Sequence, residues 1–298
     1  MDSPQEEHRM ANLKQKWQIA VDIKNSVLCA GLDPSESAMK EIGSTKKEWA
    51  FSYIESVAPY CAAIKANTNF WKTENDMKTL EEIVALAHSL DMIIIEDCKL
   101  ADIGSTNDEC MNTASEKKID AITFSPFAGN LKETGEQAKK RNVGIISMCL
   151  MSNPEYNLQK NNLIAIESSF YAQEDVLLIE HVPYVKQYVS LAYQAQIYNI
   201  DGIVIAAPSK DNHVQEQEIA DISKYIRENE IVLVPGVGAQ GGNIEFMWMY
   251  FKKDQMIVTV GRALMFPQGI KSRVSEHREA ALHYKELLNN IRMQKHEL

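Results

Sequence analysis

Eight short apolar runs rich in β-branched residues recur along the 298-residue chain, and no other feature limits its fold as strongly. They read SVLCAGLD (26–33), CAAIKAN (61–67), MIIIEDCK (92–99), DAITFSP (120–126), VGIISMCL (143–150), GIVIAAP (202–208), IVLVPGVG (231–238) and MIVTVGRAL (256–264). Most are continuous rather than alternating, which is the pattern of parallel strands covered on both faces. The segments between them carry helical spacing, as in 78–90, 133–142 and 183–199, and each is long enough for a crossover helix. Eight such units predict an α/β fold, a (β/α)8 TIM barrel forming one domain over 1–298. The last helix is expected over 272–295, and a helix over 10–25 is expected to close the barrel bottom. An open doubly wound sheet is the alternative architecture that pattern alone does not separate.

One spacing is out of line. Strands five and six are separated by residues 151–201, so a segment of about 155–181 is an insertion at the end of strand five. On a barrel that end is the active-site face. The insertion is therefore either a lid or a surface excursion with no catalytic role.

Charge and composition narrow the function classes. With 31 Lys+Arg against 41 Asp+Glu the net charge is −10, which argues against nucleic-acid or anionic-membrane binding but allows a local basic pocket. No run approaches the roughly 18 apolar residues of a membrane span. The acidic, polar start MDSPQEEHRM does not read as a signal peptide. Cys29, Cys61, Cys98, Cys110 and Cys149 are odd in number, form no C-x-x-C pair, and mostly lie in or beside apolar runs. They read as buried reduced thiols, and the expected location is cytoplasmic. Neither Cys nor His clusters at ligand spacing, so no metal site is expected.

The strand ends carry the chemistry. Strand one ends at Asp33, strand two at Lys65, strand three at Asp97 and Lys99, and Asp102 follows. Asp97 and Lys99 are two apart, so on a regular strand they share a face. Isolated buried charge is unfavourable, so an alternating set on three consecutive strands is either a structural ion-pair network or a catalytic array. A second constellation follows strands seven and eight. Pro235-Gly236-Val237-Gly238-Ala239-Gln240-Gly241-Gly242 and Gly261-Arg262 stand where such barrels hold phosphate. Glycines let backbone N–H groups approach the oxygens, and an arginine can fork two of them. The G-x-G-x-x-G match within 236–241 lacks the acidic partner of a dinucleotide site, which favours a phosphate monoester over a dinucleotide.

Asp97-Cys98-Lys99-Leu100-Ala101-Asp102-Ile103, with Thr106, resembles the D-x-K-x-x-D-I-x-x-T signature of the orotidine 5′-monophosphate decarboxylase family. Gly31-Leu32-Asp33-Pro34, Lys65-Ala66-Asn67, Met151-Ser152-Asn153-Pro154, the 235–242 run and Gly261-Arg262-Ala263 resemble further motifs of that family, in order. The length is similar to its longer branch. Glu96 and the long insertion depart from the family pattern.

The resemblance implies conversion of orotidine 5′-monophosphate to uridine 5′-monophosphate and CO2 in de novo pyrimidine biosynthesis, with no cofactor and no metal. It implies that Lys99 stabilises and protonates the C6 carbanion, that Asp97 holds Lys99 charged, and that Lys65 and Asp102 complete the network. By the same resemblance Asp33, Lys65 and Asn67 hold ribose, Ser152 reads the pyrimidine, Gln240 bridges base and phosphate, and Pro235, Gly261 and Arg262 serve the phosphate end. Asp102, Ile103 and Thr106 are implied to enter a partner's site in a homodimer with shared active sites. The rivals are a magnesium-dependent sugar-phosphate decarboxylase or aldolase on the same barrel, and a nucleotide-binding scaffold without activity.

Overall fold

The computed structural model describes residues 11–167, 170–238 and 242–294. Its strands are β1 (Leu28–Leu32), β2 (Ala63–Ala66), β3 (Ile93–Leu100), β4 (Ala121–Phe124), β5 (Gly144–Leu150), β6 (Leu163–Ala165), β7 (Leu177–Ile179), β8 (Val182–Lys186), β9 (Gly202–Ile205), β10 (Ile231–Val234) and β11 (Met256–Val260). Eight of them close a parallel barrel in the order β1-β11-β10-β9-β5-β4-β3-β2, and each matches one apolar run of the sequence. β1 pairs with both β2 and β11, so no barrel edge is left and the open-sheet alternative is excluded. Both faces of these strands are covered: every residue of β1, β2, β4, β5, β9, β10 and β11 is buried, which is why the runs do not alternate.

The helix Leu13–Lys24 closes the bottom, as expected. Asn12 and Gln15 form a reciprocal capping box that starts it. Trp17 is fully buried and its indole donates to the Asp254 carbonyl at 2.9 Å. Burying such a side chain stabilises the fold by about 3 kcal/mol. Lys16 pairs with Asp120 at 3.0 Å, at the foot of β4. Leu13 lies over Gly144, the first residue of β5, where an added Cβ would come within 2.6 Å of Leu13 Cδ2.

The insertion is larger than its sequence reading, and part of the 183–199 helix is strand. The helix begins only at Gln187, because Val182–Lys186 pairs antiparallel with both β6 and β7. Tertiary pairing of a Val-rich stretch here outweighs helical spacing. The distal part of the insertion packs on outer helices. Tyr171 stacks 4.3 Å from Tyr193 of the helix Gln187–Ile197 and 5.9 Å from Tyr225. Asp175 accepts from Tyr225 Oη at 2.8 Å and from Lys224 Nζ at 2.9 Å. Lys224 and Tyr225 follow the helix Glu216–Ser223.

Candidate active site

The mouth is built from the ends of neighbouring strands. Gly31 of β1 runs so close to the end of β11 that a Cβ there would sit 2.8 Å from Gly261 Cα. Asp33 follows directly; its N–H donates to Met265 Sδ at 3.2 Å and its Oδ1 accepts the Asn67 N–H at 3.2 Å. The register aligns Gly31 with Lys65, and Lys65 with Ile95. That alignment brings the Lys65 ammonium onto Asp97 Oδ2. Lys99 Nζ takes the other oxygen, Oδ1, at 2.6 Å. Asp33, Lys65, Asp97 and Lys99 are thus assembled as their strand ends suggest.

Regular alternation is not what aims Lys99. Between Glu96 and Leu100 the register of β3 slips against β4, with Glu96 opposite Ile122 and Leu100 opposite Phe124. Lys99 lies inside this bulge with φ 47°, in the left-handed region that a side chain rarely adopts. Thr123 holds it there. The Thr123 hydroxyl accepts the Lys99 backbone N–H at 2.9 Å and donates to Asp97 Oδ1 at 3.0 Å. Thr123 was not anticipated; the available signal was a hydroxyl within the apolar run 120–126, one strand over from Asp97.

The electrostatics follow from depth. Lys65 is 8% exposed and Asp97 7%, whereas the Lys99 side chain is 44% exposed. Burial pushes the Asp97 carboxyl up, but Lys65 and Lys99 outweigh it and hold the group down at about 2. Burial pulls Lys65 down, yet Asp97 and Asp33 hold it above its usual range. Asp33 is raised by burial, with Lys65 and the Asn67 N–H opposing. Beneath them burial pushes the Cys29 thiol up to about 12, so it is no nucleophile. Glu96 faces outward with Cys98, near Cys110 and Lys117; burial raises its carboxyl, and it has no place in the mouth.

Other expected residues stand apart from this cluster. Asp102, Ile103 and Thr106 are exposed and do not join their own chain's array. Among the described residues the Asp102 side chain accepts only the adjacent Ile103 N–H, at 2.8 Å, and the helix Gly104–Glu116 starts without a side-chain cap, so Asp102 is not a helix cap. Ser152 lies half-buried past the end of β5. On the phosphate side, Pro235 is half-buried and Gly236 has φ 83°. A Cβ at Gly238 would lie 3.0 Å from Val260 Cγ1 and 3.1 Å from Ala263 Cβ, so the glycine turn packs directly on the segment carrying Gly261 and Arg262. Arg262 is exposed, and no carboxylate pairs with it among the described residues. Gln240 lies outside the described residues. Among the described residues no group of three or more His, Cys, Asp or Glu side chains is placed to hold a metal ion, and no helix is long and apolar enough to cross a membrane.

Fold and mouth define a class: a (β/α)8 barrel that sets one aspartate between lysines of two strands and places a glycine turn beside an arginine. A profile of the orotidine 5′-phosphate decarboxylase / HUMPS family matches residues 26–267. The chain is 28% identical over 234 residues to orotidine 5′-phosphate decarboxylase of Halorubrum lacusprofundi, covering 76% of this chain and 74% of that one. It is 27% identical over 277 residues to the Parabacteroides distasonis enzyme of the same name, covering 87% and 88%. The structure of Leishmania donovani OMP decarboxylase superposes with TM-score 0.71 at 20% identity, over 95% of this chain and 99% of that one, a likeness of fold. The chain belongs to the orotidine 5′-phosphate decarboxylase / HUMPS family, and with it to the carboxy-lyase enzymes.

Proposed function

We propose that this enzyme decarboxylates orotidine 5′-monophosphate to uridine 5′-monophosphate, the last step of UMP formation, without a cofactor. The observation that carries this reading is the Lys65–Asp97–Lys99 array with its Thr123 brace. The bond from C6 to the carboxylate breaks and its electron pair stays on C6. With no electron sink in the ring, a fixed cation must stabilise that charge. Lys99 is the half-exposed end of the array, so its ammonium faces the mouth, stabilises the carbanion and gives C6 a proton. Asp97, ionised down to about pH 2, holds Lys99 charged and in place.

The remaining roles are those that the family resemblance implies. Asp33, Lys65 and Asn67 take the ribose hydroxyls, Ser152 the pyrimidine edge, Gln240 bridges base and phosphate, and Pro235, Gly261 and Arg262 take the phosphate. Asp102, Ile103 and Thr106 complete the partner's site in a homodimer. In support, Ile103 is 65% exposed and Phe127, on the loop after the next strand, 92% exposed, an apolar pair suited to burial between subunits. The deciding experiment follows the absorbance of orotidine 5′-monophosphate after adding the protein with EDTA present. Decay at a rate unchanged by the chelator is expected. No decay sinks the reading, and loss of activity with EDTA points to the magnesium-dependent chemistry instead.

A further inference from the structure

The loop that follows β5 is tied to the loop that follows β9 by a single histidine. His213 Nε2 lies 2.9 Å from the carbonyl oxygen of Asn153, sixty residues earlier in the chain. A carbonyl only accepts, so Nε2 donates. The other ring nitrogen, Nδ1, is buried and has no partner among the described residues. The polarity of the ring is therefore spent on one contact. The His213 backbone is itself held: Lys160 Nζ donates to its carbonyl at 2.7 Å and pairs with Glu218 at 2.6 Å, the two side chains only 2% and 6% exposed. Tyr156, whose N–H also reaches the Asn153 carbonyl at 3.1 Å, donates its hydroxyl to the Cys149 carbonyl at 2.5 Å and anchors the turn from beneath. The Asn153 side chain turns away to Glu155 at 2.9 Å. Without His213, no bond from the β9 loop among the described residues would reach the Asn153–Pro154 peptide, which directly follows Ser152 in the turn.

We infer that His213 is a positioning residue for recognition of the pyrimidine: by holding the Asn153 carbonyl it sets the Ser152 turn against the base. The inference rests on the proposed role of Ser152 and extends it to a residue on a different loop. It is local, so it separates the two ends of a nucleotide. Loss of the bond weakens contacts to the base and leaves those to the phosphate, which belong to the loops after β10 and β11.

The test measures dissociation constants by calorimetry, which needs no turnover. UMP carries the base and ribose 5-phosphate lacks it. In His213→Ala the UMP constant is expected to rise about five- to tenfold, the effect of one hydrogen bond, while that of ribose 5-phosphate stays within about twofold. His213→Gln, whose carboxamide nitrogen can occupy the place of Nε2, should recover most of the loss. Equal weakening of both ligands means a general structural role and overturns the inference, as does an unchanged UMP constant. A wild-type chain that binds UMP but does not turn over orotidine 5′-monophosphate refutes the decarboxylase reading instead, and the ratio of constants still decides His213.

Discussion

Lys99 reaches back 2.6 Å to the carboxylate of Asp97, two residues behind it, from a backbone held in the left-handed region. The strand bulges here, so this ammonium stands at the mouth while its counter-charge stays buried.

Lys99→Ala is therefore expected to abolish turnover while the fold survives. Asp97 keeps Lys65 as its partner, and a half-exposed ion pair is worth about 1 kcal/mol or less. The melting temperature should fall by no more than about 4 °C. Turnover near that of the wild type, followed by absorbance, would remove Lys99 from the mechanism.

Arg262→Ala should lower kcat/KM by about 2–4 kcal/mol of transition-state binding, as expected for a charge-assisted phosphate contact. Phosphite added to wild-type enzyme with orotidine, the nucleoside lacking the phosphate, should restore part of the rate. Equal rates for the nucleoside and the nucleotide would show that the glycine turn and Arg262 do not grip phosphate.

Subunit mixing tests the shared site. Asp102→Ala and Lys99→Ala homodimers should each be nearly inactive. A mixed dimer holds one site with both lesions and one with neither, so mixing should recover about one active site per heterodimer. Heterodimers that form yet stay inactive would place Asp102 in its own barrel.

Glu230 gives a stability test far from the mouth. It is fully buried at the foot of β10, and burial pushes its carboxyl up to about 7 although Arg227 pulls the other way. The folded chain thus keeps a proton that the unfolded chain releases near its usual value of 4.5. Stability is lost as pH rises from about 4.5 to 7, at most on the order of 3 kcal/mol. Glu230→Gln removes that titration, so its melting temperature relative to wild type should be higher at pH 8 than at pH 5. Identical differences at the two pH values would mean that the ionised form costs the fold nothing.

The barrel was legible because strands covered on both faces leave unbroken apolar runs, and a charge at the end of such a run has few reasons to be there. Asp33, Lys65, Asp97 and Lys99 stood out on that ground, and the register assembles them. What escaped is what depends on pairing. Val182–Lys186 becomes strand only because β6 and β7 flank it. The slip between Glu96 and Leu100 exists only against β4. Thr123 looks like an ordinary strand residue until Asp97 is set beside it, and His213 has no motif at all, since its partner lies on another loop.

The depth of Lys65 and Asp97 also limits how this chain can drift. Replacing Asp97 alone leaves the Lys65 ammonium buried without its ion-pair partner, a loss of about 3–5 kcal/mol from a total stability of about 5–15, whereas Asp97 without Lys65 keeps Lys99. Replacing both by apolar residues of similar volume is close to neutral for folding. The two positions are therefore epistatic: loss of Asp97 is tolerated only after Lys65 has gone. Folding alone guards Asp97 for as long as Lys65 stays, so a lineage with no further need of the reaction would tend to keep Asp97 while the exposed Lys99 is free to change.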